Sequence, residues 1–150
     1  MASESALCAE YLYNKLNVST VTNALGTAAR IFRNEVPQIP LTSLTVLFPC
    51  VVFHMQAGED SFGTGAVRIF TRPIWTVKVG VESEYKDAET IYAIVDSVLQ
   101  NTSGTVSAGS VYSCYRTNEI PGYSEPKIGG GYYRWVGGMY RLECRATTTP

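Results

Sequence analysis

Apolar residues alternate with polar or small residues in the middle of the chain, and the spacing then changes to that of a helix. From Trp75 to Glu82 every second position is apolar, and these positions are Trp75, Val77, Val79 and Val81. This period of two predicts a strand with one covered face. From Asp87 the apolar positions recur every three or four residues, which predicts a helix ended by Asn101 and Gly104. Such a helix would pack on the sheet.

Weaker patterns predict the elements before this strand. Residues 4–16 have apolar side chains at helical spacing and predict a first helix. Residues 19–29 indicate a turn or short helix that leads into a strand over residues 30–36. Residues 41–47 are ambiguous, residues 50–56 predict a strand, and the glycine-rich residues 57–65 predict a mobile loop before strand-forming residues resume at Arg68.

The last third of the chain has two strand patterns, residues 109–116 and Tyr132–Ala146. We expect a loop between them, because this segment contains Pro121, Gly122, Pro126 and the run Gly129-Gly130-Gly131. In the second strand apolar residues share one face, unless Gly137-Gly138 marks a bulge. Together the patterns predict one α+β domain over residues 1–150. Its sheet would be mostly antiparallel, with four or more strands and two main helices packed on one face.

Composition narrows the function classes. The 150 residues include 12 basic and 13 acidic ones, a net charge of −1. This balance disfavours nucleic-acid binding as a primary role. The apolar runs are too short to cross a bilayer and the N-terminus lacks a signal-peptide pattern, so we expect a protein made in the cytoplasm that has no membrane partner.

Residues with catalytic potential do not form a recognisable group. The sole histidine, His54, has no acid or thiol at contact spacing along its strand, and Glu59 and Asp60 are typical of a solvated loop tip. The four cysteines lack a Cys-x-x-Cys pair and are expected to be buried and reduced. Neither Gly63-Thr64-Gly65 nor the later glycine run fits a nucleotide-binding motif. We therefore expect no enzymatic activity, no cofactor and no metal.

Aromatic and basic residues are concentrated near the C-terminus. Tyr, Trp and Arg contribute most to protein interfaces, so this segment and the glycine-rich loop are candidate inter-subunit or partner surfaces. An aromatic-rich sheet with partly exposed phenols explains the composition equally well. The candidate interface residues are Glu59, Asp60, Phe62, Tyr115, Arg116, Tyr123, Tyr132, Tyr133, Arg134, Trp135 and Arg141.

The order of these signals resembles a known family. It consists of the first helix, the Ile31-Phe32 strand, the run from Phe48 to Phe53, the run from Ile74 to Val79, the helix from Ala88 to Val95 and the final strand from Tyr140 to Cys144. This order is similar to that of the tail-completion proteins of tailed bacteriophages, which include tail terminators and tail-to-head joining proteins.

The resemblance implies a structural virion protein of the phage tail or neck. Such a subunit forms a ring, usually a hexamer, at the head-proximal end of the tail, where it terminates the tail tube and joins it to the head connector. Its partners would be copies of itself, the tail tube protein and the connector, and DNA would cross the ring without specific binding. Two other hypotheses remain open: a small-ligand or peptide-binding α+β module with a deep apolar pocket, and an enzyme centred on His54.

Overall fold

The helices and strands are given by a computed structural model, which describes residues 4–27, 30–37, 47–58, 60–62, 68–127 and 129–146. Within these ranges the helices are α1 (Glu4–Leu16), α2 (Ser19–Leu25) and α3 (Tyr85–Leu99). The strands are β1 (Ile31–Arg33), β2 (Cys50–Ala57), β3 (Asp60–Phe62), β4 (Arg68–Thr71), β5 (Ile74–Val81), β6 (Thr102–Val106), β7 (Gly109–Pro126) and β8 (Tyr132–Ala146).

Two long antiparallel hairpins form the centre of the sheet. In the first hairpin β2 pairs with β5, beginning with Cys50 opposite Gly80. The same hairpin continues with β3 paired to β4, as far as Phe62 opposite Arg68. In the second, β7 pairs with β8 along almost its whole length. The hairpins join where β5 pairs with β8, and Thr71 of β4 continues that pairing opposite Cys144. Because β5 and β8 are antiparallel, the two hairpins extend toward opposite ends of the sheet.

The sheet also has a parallel pair, since β1 runs alongside β2 in the same direction. Sixteen residues, 34–49, separate the two strands, which is long enough for the crossover that a parallel pair requires. At the other side β6 pairs with the first part of β7. The sheet is therefore mixed, with antiparallel pairing throughout the rest of its described strands.

The predicted fold class is wrong in two respects. A mostly antiparallel sheet with two main helices on one face does not account for the parallel β1–β2 pair. Nor does it account for the third helix, α2, which packs on α3. Val21 and Leu25 bury one side of α2, and Gly26 ends it in the left-handed conformation at φ 91°.

Several local predictions are confirmed. Helix α1 covers residues 4–16 as expected, and β8 has the predicted limits Tyr132–Ala146. The alternating strand is β5, and α3 begins at Tyr85, two residues before the predicted start. Gly137-Gly138 forms no bulge toward β5, where the register is continuous.

Other local predictions are wrong. β1 is shorter than the predicted strand over residues 30–36, and part of the predicted glycine-rich loop forms β3. The segment after α3 forms the unpredicted strand β6, and β7 continues from Arg116 through the predicted loop to Pro126. A register shift between Ile120 and Tyr123 accommodates Pro121 and Gly122. The ambiguous residues 41–46 lie outside the described ranges.

The main core lies between the helices and the sheet. It contains the face of β5 formed by Trp75, Val77, Val79 and Val81, together with Tyr140, Leu142 and Cys144 of β8. All four cysteines are buried and take part in no disulfide, and the Sγ atoms of Cys8 on α1 and Cys144 lie 3.4 Å apart. Each Å² of apolar surface that is buried stabilises the fold by about 25 cal/mol, so this core is the main source of stability.

A buried polar network ties α3 to β8 within this core. The Tyr140 hydroxyl donates to Asp96 Oδ1 at 2.5 Å and lies 2.8 Å from the Tyr92 hydroxyl. Burial is the first cause that raises the pKa of Tyr140 above its ordinary value, and the hydrogen bond to Asp96 is the second. Gly138 leaves room for this network, because a Cβ there would lie 2.3 Å from the Tyr92 hydroxyl oxygen.

Candidate interaction surfaces

The opposite face of the sheet has a second, smaller apolar cluster, which we call the aromatic cluster. Cys50, Val52 and Trp135 are its buried residues, and Phe32, Val36, Phe48, Tyr123 and Tyr133 pack around them. The ring of Phe48 stacks on Tyr133 at 4.3 Å between centroids and meets the edge of Trp135 at 5.9 Å. Both arrangements are favourable for aromatic pairs.

Gly80 of β5 creates the space for Trp135. A Cβ at this position would lie 2.6 Å from Cζ3 of the indole and 2.9 Å from Cε1 of Phe48, so a larger residue would displace the rings. Lys78 lies beside the same rings. Its ammonium is 4.6 Å from the Trp135 ring centroid and donates to the Tyr123 hydroxyl at 2.9 Å.

Basic residues also fix the turn of the second hairpin to the start of α3. Lys127 Nζ lies 3.6 Å from a Glu82 carboxylate oxygen and 5.4 Å from the centroid of Tyr133. Arg134 Nη1 donates to the backbone carbonyl of Ser83 at 2.7 Å, and its guanidinium lies over the Tyr85 ring. Much of the aromatic and basic composition near the C-terminus is therefore used within the chain.

The predicted interface residues lie in different environments. Trp135 is only 4% exposed, whereas Tyr132 is 51% exposed at the start of β8. Arg116 is exposed but faces Asp96 at 3.8 Å. Tyr115 and Arg141 are half-buried and lie opposite each other in β7 and β8.

The remaining predicted residues are in the aromatic cluster or the first hairpin. Tyr123, Tyr133 and Trp135 come together in the cluster, whereas the guanidinium of Arg134 lies over the Tyr85 ring. Asp60 and Phe62 belong to β3, at the far end of the first hairpin, and Glu59 lies outside the described residues. Tyr112, 54% exposed, was not among the candidates, and its alternation with buried Val111 was the signal that could have found it.

The part of the second sheet face beyond the aromatic cluster has several polar groups without partners among the described residues. His54 lies opposite Thr76, which is 2% exposed, and Thr76 lies opposite Met139. The Thr76 hydroxyl, His54 Nδ1 and Arg141 Nε are buried atoms without a hydrogen-bond partner there. Because these three atoms have almost no solvent-accessible surface, they are already covered within the chain.

The environment of His54 contains no catalytic partner in the part of the chain that the structure describes. Its Nε2 lies 2.9 Å from Gln56 Nε2, an amide that can orient the ring but cannot act as a base. Burial, followed by the positive charge of Lys78, lowers the pKa of His54 below its ordinary value. Among the described residues, no group of three or more histidine, cysteine, aspartate or glutamate side chains could hold a metal ion.

An open groove lies where β5 leads into α3. It has a volume of about 440 Å³ and is lined by Phe48, Pro49, Val81, Glu82, Ser83, Asp87, Thr90 and Ile91. The lining combines apolar side chains with two carboxylates. A small-ligand module is expected instead to enclose its ligand among mostly apolar side chains.

Helices of the described residues are too short or too polar to cross a membrane. No family model and no curated protein sequence match the chain. Among solved structures, the chain is similar to one from the virion of a native gene transfer agent particle. The likeness covers 97% of this chain and 100% of that one, with a TM-score of 0.63 and 14% sequence identity. At this identity the likeness shows that the two chains share a fold.

Proposed function

We propose that this protein is a structural component of a phage-like virion. The observation that carries the proposal is the fold shared with a chain of a gene transfer agent virion, which extends over nearly the whole length of both proteins. More specifically, we propose a subunit of a ring at the head-proximal end of the tail. There it would terminate the tail tube and join it to the head connector, in agreement with the order of elements in the sequence.

The shape of the sheet suits a ring subunit. A closed ring requires heterologous contacts, in which one surface of a subunit meets a different surface of its neighbour. The two long hairpins extend toward opposite ends of the sheet, so each subunit has two dissimilar ends. The net charge of −1 favours a channel that DNA can cross without being held.

We infer that this role involves no chemical reaction on a substrate. The environment of His54 supports the inference, because the contact of its ring nitrogen is an amide and not a carboxylate or thiol. Replacing His54 with alanine is therefore expected to leave particle assembly intact. A loss of assembly with an unchanged fold would favour a direct role for the imidazole.

Localisation in purified particles tests the proposal. We expect immunogold labelling or electron microscopy of particles to place the chain in a ring at the head-proximal end of the tail. Mass measurement of the isolated protein, with and without tail tubes, should show an assembly larger than the 16.4 kDa chain. Absence of the protein from particles would contradict the proposal as a whole, whereas its presence elsewhere in the particle would contradict only the neck position.

A further inference from the structure

Charge is distributed unevenly along β8. At the end where β5 leads into α3, residues 82–89 contain four acidic side chains and one basic one. Three of the acids, Glu84, Asp87 and Glu89, are exposed and form no ion pair with the part of the chain that the structure describes. We call this the acidic turn, and it forms one rim of the 440 Å³ groove.

The other end of β8 has a basic surface on the second face of the sheet. Tyr140, Leu142 and Cys144 point into the main core, so the alternating residues Arg141 and Arg145 point away from it. Glu143, which lies between them in the sequence, forms an ion pair with Arg72, with 3.3 Å between Oε1 and Nε. Arg141 and Arg145 form no ion pair within the described ranges, and Arg141 Nε is covered without a partner. We call these two arginines the basic patch.

Apolar side chains lie beside each of the two charged regions. Arg141 lies between Ile74 of β5 and Tyr115 of β7, both half-buried. The groove next to the acidic turn has Phe48 and Ile91 in its lining. An arginine placed there would contact an aromatic ring and carboxylates at once, a favourable setting for a guanidinium.

The positions of the two regions exclude a contact within one chain. Arg134 pairs with Val81 beside the acidic turn, whereas the basic patch begins seven residues later on the same strand. At about 3.3 Å per residue the separation is roughly 23 to 36 Å. A contact between the two must therefore join different copies, head to tail, which is the heterologous geometry that closes into a ring.

From this complementarity we propose that the groove and acidic turn of one subunit receive the basic patch of the next copy of the same chain. The inference rests on the proposed function, which requires a ring, and identifies the surfaces that form it. Such a contact would give the guanidinium groups of Arg141 and Arg145 carboxylate partners and cover Ile74 and Phe48 from water. Because part of the attraction is between exposed charges, it would weaken as salt concentration rises.

Charge reversal on each side tests the contact. One variant carries Arg141→Glu and Arg145→Glu, so that both of its surfaces are acidic. The second carries Glu84→Lys and Asp87→Lys, so that both are basic. Each variant alone is expected to assemble with a dissociation constant raised roughly tenfold or more, as for other close charge pairs. Mass photometry across a concentration series, at low and high salt, measures the change.

An equimolar mixture of the two variants is the decisive sample. Every contact in an alternating assembly would again join an acidic surface to a basic one, so assembly should return to nearly the wild-type level. A control with Glu119→Lys and Glu125→Lys makes the same change in charge on exposed positions of β7 and should assemble normally. Thermal unfolding of each variant confirms that it is folded.

Three outcomes would overturn the inference: no recovery in the mixture, an equal defect in the β7 control, or a wild-type protein that stays monomeric at every concentration. If the lysine variant fails to fold, the neutral pair Glu84→Gln and Asp87→Asn replaces it and should weaken assembly. Normal assembly of the variant with these two neutral substitutions would then overturn the inference. The protein could be found in the neck of particles although the mixture of variants does not assemble. That result would support the proposed function and reject only the proposed interface.

Discussion

Removal of a single hydroxyl group from Tyr140 should measure how strongly the polar network holds α3 to the sheet. The residue is fully buried, and its hydroxyl contacts both Asp96 and Tyr92. In Tyr140→Phe the ring remains and its packing is preserved. The bond to the Asp96 carboxylate is lost, and Tyr92, 5% exposed, loses one partner.

The expected cost follows from these two losses. A hydrogen bond to a charged group contributes about 1.5 to 3 kcal/mol, and loss of the contact with the Tyr92 hydroxyl, which keeps Arg116 as a partner, costs about 0.5 to 1.5 kcal/mol. Asp96 is partly exposed and can take up water in exchange, which offsets some of the loss. We therefore expect a decrease of about 2 to 3 kcal/mol in the free energy of unfolding, or roughly 4 to 12 °C in Tm for a chain of this length.

Urea denaturation of Tyr140→Phe beside the wild type measures this change, and Tyr112→Phe is the matched control. Tyr112 is 54% exposed, so loss of its hydroxyl should change stability by less than about 0.5 kcal/mol. A Tyr140→Phe variant as stable as the control would refute the reasoning. A double-mutant cycle with Tyr92→Phe should then give a coupling energy above zero, because the two hydroxyls are in contact.

Other predictions concern the aromatic cluster and high pH. Gly80→Ala should destabilise the fold by about 1 to 3 kcal/mol and alter Trp135 fluorescence, because the new Cβ overlaps the indole. Gly58→Ala, which has 3.9 Å to its nearest neighbour, should be nearly neutral in the same urea titration. Burial raises the pKa of Cys114 and of Tyr11 to about 12 each. Since the unfolded chain loses these protons first, stability should be complete below about pH 9 and fall above it.

Two results would contradict these predictions. Equal urea midpoints for the Gly80 and Gly58 variants would show that the indole moves aside without cost. Stability that is constant or rises between pH 8 and pH 11, measured by urea titration at fixed ionic strength, would show that these thiol and phenol groups titrate alike in the folded and unfolded chains.

Elements with a strong local period could be predicted from the sequence, and those set by distant contacts could not. The alternation in β5 and the stripe of α3 come from the residues themselves. β6 has no such signal, since its pairing with β7 and the hydrogen bond between the Thr102 and Tyr11 hydroxyls arise only in the folded chain. The extension of β7 could not be predicted either, because a proline such as Pro121 interrupts a strand unless it lies at a bulge.

The candidate interface shows a related limit. Tyrosine, tryptophan and arginine are typical of protein interfaces, but the same residues form the aromatic cluster inside the chain. Composition could not distinguish these two uses, because both depend on burying rings beside cations. The groove beside Glu82 was missed for a different reason. It is formed by Phe48 and α3, which the sequence does not show to be neighbours.

Burial of Trp135 changes where an intermolecular contact can form. Because the rings of the cluster pack against one another, the second sheet face offers a partner mainly the half-buried residues around Arg141 and the exposed Arg145. The guanidinium groups of these arginines lose hydrogen bonds to water if an apolar surface covers them, so their partner must supply acceptors. The carboxylates of the acidic turn meet that requirement, whereas the aromatic cluster does not. The polarity of this sheet face therefore argues for a charged contact between subunits and against one formed by tyrosine rings.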